Sequence, residues 1–176
     1  MAESFNKAVK RSVGIVTANS SGVISTTTTT ISGISTAGVA IGDFVLNNNF
    51  RIGAKVLSVG TGAVTMSEAS VNTAYAAGQQ VDFSRPVDVL TASEKNIIIG
   101  GTLSNLTNTQ ISATVVVSTS DNTDVMLLAD IPVPNGSSVV ISDAGKTVLG
   151  AGDTVRVFSN TNNSLDVNFS FLTGVN

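Results

Sequence analysis

The acidic pair in "SDNTD" (Ser120 to Asp124) is the densest cluster of chemistry-bearing side chains in this chain. Acid–base catalysis needs two carboxylates held a few ångströms apart in a pocket, and Asp121 and Asp124 have suitable spacing on a hairpin loop. The same residues with Asn122 offer clustered hard oxygens for a calcium ion, but the spacing matches no complete calcium loop. Asp and Asn also favour turns through side-chain bonds to nearby backbone, and turn chemistry alone explains the cluster. The chain contains no His, Cys or Trp. Missing histidine removes the usual general base and the commonest zinc ligand, and missing cysteine removes thiolate metal sites and disulfides. "GVAIGD" and "VLGAGD" lack the lysine and the following helix of a phosphate-binding loop. The lone Tyr75 has no basic neighbours, so no stacking platform for nucleic acid is visible. The expectation is a non-enzyme that binds no cofactor and no metal.

Charge supports the same exclusions. The formal net charge is −3, which argues against nucleic-acid binding through overall charge. Residues 1–95 hold seven basic and six acidic side chains (net +1), and residues 96–176 hold two and six (net −4). Charged residues make up only 12% of the chain, about half the usual share, with Ser, Thr, Asn and Gly in their place. Neutral polar surfaces of this kind suit β-structure that packs against neighbouring subunits. No apolar run follows the basic residues of "MAESFNKAVKRS", so no signal peptide is expected. No stretch reaches the roughly 20 apolar residues of a membrane-spanning helix.

The elements that must carry these residues read as all-β. From Val13 onward, turn signals such as "NSSG", "GTG", "AAG", "PNG", "DAG" and "GAGD" separate short runs rich in Val, Ile and Thr. That spacing predicts a sandwich or barrel. In "SLDVNFSFL", Leu165, Val167, Phe169 and Phe171 alternate with Asp166, Asn168 and Ser170, so one face is buried. The proline in "DFSRPVDV" disfavours a strand interior. It places a boundary near Arg85–Pro86, between an N-terminal β domain (13–85) and a C-terminal β-sandwich (86–176). Residues 1–12 are expected to form an N-terminal arm of one or two helical turns, with Phe5, Ala8 and Val9 on one face. Phe5, Lys7, Val9, Lys10 and Arg11 are its candidate docking residues. "VISTTTTTISGIST" (Val23 to Thr36) is expected to be a strand, because threonine is β-branched and no proline marks a mucin-like stalk. "AIGDFV" and "GAGDTV" both place Gly-Asp before a strand.

Two stretches carry a resemblance. "GISTAGVAIGDFVLNNNFRIGAKVLSVGTGAVTMSEASVNTAYAAGQQVDF" (Gly33 to Phe83) resembles a module of tailed-bacteriophage structural proteins. Its marks are "G-D-x-V", "I-x-x-G-A-x-V", a glycine turn and "V-T-M-S". The second half, with "I-P-V-P-x-G" and "L-x-A-G-D-x-V-R-V", is similar to small β-sandwich virion proteins, including those of phages of marine cyanobacteria. The resemblance implies a virion protein made in the host cytoplasm. A capsid decoration (cement) protein binding the major capsid protein, as a trimer or another symmetric oligomer, is the leading expectation. A tail, neck or fibre component, with or without host-glycan contact, is the alternative. Neither implies nucleic acid or membrane as a partner.

Overall fold

The computed structural model describes residues 3–71, 76–141 and 146–174, so Tyr75 and the turn signal at 143–145 lie outside the described residues. The described chain is all-β and its strand pairs are antiparallel. It divides into two units, one of Met1–Gly14 with Val87–Asn176 and the other of Ile15–Pro86.

The first unit contains β1 (Ser4–Val13), β8 (Val87–Thr91), β9 (Asn96–Asn105), β10 (Ile111–Ser118), β11 (Asp124–Val133), β12 (Ser138–Ile141), β13 (Thr147–Leu149), β14 (Thr154–Ser159) and β15 (Leu165–Thr173). One sheet runs β1-β15-β9-β12, with β13 also paired to β9, and the other runs β11-β10-β14-β8. Because β12 and β13 share one position beside β9, these are eight strand positions in two four-position sheets. The chain alternates between sheets in the wrapping order of a jelly roll. Both sheets feed one core: Leu103, Val167 and Phe169 from the first meet Val115, Val155 and Val157 from the second. Within "SLDVNFSFL" the four odd-numbered apolar residues are buried, as alternation requires.

Residues 1–12 need correction. The leader is neither helical nor a separate arm, because Ser4–Lys10 pair residue for residue with Thr173–Val167 of β15. A free helix of two turns is marginal in water, whereas this strand satisfies its backbone along a neighbour. Ala8 sits opposite the fully buried Phe169 and packs against the core. A small residue there leaves space for the ring.

The second unit lies, in sequence, between β1 and β8. It contains β2 (Val16–Ile24), β3 (Thr30–Ser32), β4 (Phe44–Leu46), β5 (Val56–Gly60), β6 (Ala63–Met66) and β7 (Ala76–Ser84). Their order is β4-β7-β2-β3-β6-β5. An isolated Phe44–Lys55 bridge and the Val45 N–H···O=C Ala54 bond (3.0 Å) bring the first strand to the threshold of the last. The sheet curls around Ile24, Ile31, Val64, Met66, Val81 and Phe83 without closing into a barrel.

The threonine run is a second correction. It forms the hairpin connection between β2 and β3, not one strand. Ile24 and Ile31 are paired and both buried, which a single straight strand cannot achieve with odd spacing. Thr27 turns the chain at φ 49°, and Ser70 anchors the loop by donating to Thr28 O (N–H, 2.9 Å) and Ser25 O (hydroxyl, 3.1 Å).

The paired Gly-Asp signals turn out to be one local device used in both units. Asp43 N–H bonds Ala40 O, and the Asp43 carboxylate accepts the Ala40 N–H at 2.7 Å. Asp153 does the same with Gly150, its carboxylate accepting at 2.8 Å. The third residue of each turn, Gly42 or Gly152, has φ near +90°, where a side chain is strained.

Gly101 marks a close approach inside the jelly roll. It pairs with Phe169, and an added Cβ would lie 2.6 Å from the Asn168 carbonyl and 2.7 Å from the phenyl ring. Gly101→Ala should therefore cost about 1–3 kcal/mol by overpacking. A lowered urea midpoint checks this, and an unchanged midpoint would show that the sheet yields there freely.

Candidate docking surface

The five leader residues expected to dock lie on or beside the edge strand β1. Antiparallel partners share a sheet face, so the register shows where each side chain points. Phe5, Lys7 and Val9 pair with Leu172, Ser170 and Asn168 on the outer face of the β1-β15-β9-β12 sheet. Lys10 pairs with Val167 and takes the core-facing side, although at the edge it stays exposed. Arg11 lies where the ladder slips between Lys10 and Val13, and its guanidinium reaches Asp166 at 3.5 Å. The adjacent Ser12 N–H donates to the same carboxylate at 2.9 Å.

Register extends this face across four strands. Phe5 meets Leu172, Leu172 meets Ile97 and Ile97 meets Val148, forming an apolar row from β1 through β15 and β9 to β13. Its ends are open to solvent, with Phe5 81% and Val148 53% exposed. A second row runs Val9, Asn168, Thr102 and Val140, the last 63% exposed. Between them lies Lys7–Ser170–Gly100, so the cation sits between Phe5 and Val9 on its own strand. Beside the second row, the Ser104 and Ser138 hydroxyls are hydrogen-bonded at 2.7 Å. A shallow groove of about 320 Å³ opens here, lined by Val9, Lys10, Arg11, Thr102, Ser104, Asp166, Val167 and Asn168.

Leu172, Ile97, Val140 and Val148 were absent from the expected docking set. Consecutive apolar residues in a strand place apolar side chains on both faces, and that signal was present in "NIIIG" and "SVVI". This face therefore combines exposed apolar side chains with a few charges and hydroxyls.

The Asp121–Asp124 cluster resolves into turn bonding. Asp121 accepts from the Thr119 hydroxyl and from the Thr123 N–H at 3.2 Å, while Asp124 accepts from the Ser118 hydroxyl at 2.5 Å. The Thr119 hydroxyl, then the Thr123 N–H, hold the Asp121 carboxyl below its usual range. Among the described residues no group of three or more His, Cys, Asp or Glu side chains is placed to hold a metal ion. No described helix is long and apolar enough to cross a membrane.

A two-pronged charge contact with a buried carboxylate belongs to the other unit. Arg85 clasps Asp43 with Nε to Oδ1 at 2.9 Å and Nη2 to Oδ2 at 3.1 Å, and Nη2 also donates to Gly38 O at 2.8 Å. These bonds fasten the Gly38–Asp43 loop to the end of β7. No protein-family model, no curated protein and no solved structure matches this chain.

Proposed function

We propose that this chain is a non-catalytic virion protein of a tailed bacteriophage, a decoration protein that binds the outer capsid shell. The observation carrying this reading is the apolar row Phe5–Leu172–Ile97–Val148 that crosses four strands of the outer face and ends in β1, where a broad protein surface fits better than a small ligand. The sequence likeness to small β-rich virion proteins supports it, and so does the jelly roll, an architecture that capsids and lectins both use. The partner is the major capsid protein, engaged in many symmetric copies.

A glycan-contacting tail or fibre role is less well supported. Of the seven Phe residues, Phe5 alone is exposed, while Phe44, Phe50, Phe83, Phe158, Phe169 and Phe171 are buried. An aromatic platform for sugars is therefore missing among the described residues.

Quantitative mass spectrometry of purified particles tests the assignment. Roughly hundreds of copies per particle are expected from a shell lattice. A few dozen would move the protein to the neck or tail, and absence from particles would overturn the virion reading. Phe5→Ser and Val148→Ser should lower particle occupancy about tenfold or more without shifting the melting temperature of the monomeric chain, since both are exposed in it.

A further inference from the structure

The lateral edges of the jelly-roll unit are unequal. β11 is blunted by two register shifts, a positive φ at Asp130 and Pro132. β8 is five residues long, follows Pro86 and slips against β14. The β12–β13 position is broken in two. β1 has none of these devices from Ser4 to Lys10, where seven residues pair with β15 without a shift. Among the described residues, no backbone group from Phe5 to Lys10 bonds outside that ladder. Such an edge is a template for another strand.

We infer that the occupant is β1 of a second copy, paired antiparallel about a two-fold axis at Lys7. The sequence of the edge is self-complementary in that register. Phe5 of each copy faces Val9 of the other and Ser4 faces Lys10, while Glu3 comes near Arg11, which lies just past the last regular pair of β1. Two apolar pairs thus form across the axis, against one like-charge pair, Lys7 with Lys7. Shifting the register by two residues instead sets Phe5 against Lys7 or Arg11. The two sheets then become one, and the apolar row ending at Phe5 continues into Val9 of the second copy. This interface goes beyond shell binding and is read on the isolated protein, so its failure leaves the virion assignment untouched.

The chain has no cysteine, so single thiols report the register directly. Sedimentation velocity should show a dimer. Mild oxidation should link Lys7→Cys to itself, while Ser4→Cys and Lys10→Cys should link only when mixed. Phe5→Glu should weaken the dimer about 100-fold or more, with a melting temperature that matches the parent chain's at concentrations low enough to keep both monomeric. Lys7→Gln should tighten it by a factor of about two or more, because the like-charge contact at the axis disappears. A monomer, a trimer, or Ser4→Cys linking to itself would overturn the inference.

Discussion

Deleting residues 1–12 should abolish the cooperative fold of the jelly-roll unit, not release a dispensable arm. The deletion removes all seven contiguous residues of β1 that pair with β15. Each ladder bond contributes roughly 0.5–1.5 kcal/mol net, and the unbonded groups of β15 would then need water or a new partner. It also uncovers the core side of Phe169, against which Ala8 packs, and cuts the chain just before the buried Val13. Together these losses are comparable to the whole stability of a domain, about 5–15 kcal/mol. Amide hydrogen exchange is the direct check, because protection of Val167 to Phe171 should collapse in the truncated chain. Native protection and an unchanged melting temperature would show that β1 is an accessory after all. Loss of capsid binding by such a deletion is consequently no measure of docking, and the point substitutions at Phe5 and Val148 are the sound probe.

Arg85→Met should destabilise the inserted unit by about 3 kcal/mol. The Asp43 side chain is only 3% exposed, so removing its cation strands a buried carboxylate whose remaining described bond is from the Ala40 N–H. Breaking a buried pair from one side costs about 3–5 kcal/mol. The lower end applies because the Arg85 side chain is 40% exposed and water can replace part of the contact. Chemical denaturation gives the size, and a double-mutant cycle with Asp43→Ala should return a coupling above about 1 kcal/mol. Additive losses would mean the two groups act separately. The bond to Asp43 raises the Arg85 guanidinium above its ordinary value. A raised folded value contributes stability below the unfolded value and loses it as pH climbs through the folded one. The Arg85 charge therefore gives no pH dependence anywhere near neutrality.

Local patterns carried far in this chain. The alternation in Leu165 to Phe171 was enough to assign a strand and its buried face, since side chains point to opposite sides at every step. Gly-Asp turns at 40–43 and 150–153 were legible because φ near +90° at the third position needs glycine.

What failed was every inference whose partner lies far along the chain. Lys7, Lys10 and Arg11 beside Phe5 look like an amphipathic turn until β15, some 160 residues later, supplies a ladder. Five threonines look like a strand until Ile24 and Ile31 must share one buried face, which forces a hairpin between them. The Asp43–Arg85 clasp and the Phe5–Leu172–Ile97–Val148 row join residues from separate strands and have no local signature. Sequence by itself determined the all-β class, the turns and the inward-facing residues, because period-two alternation and backbone sterics act over a few residues. Tertiary structure alone decided the sheet order, the insertion of the second unit between β1 and β8, and the open edge at β1. Those depend on which apolar faces can be buried together, a competition settled only when the whole chain is present.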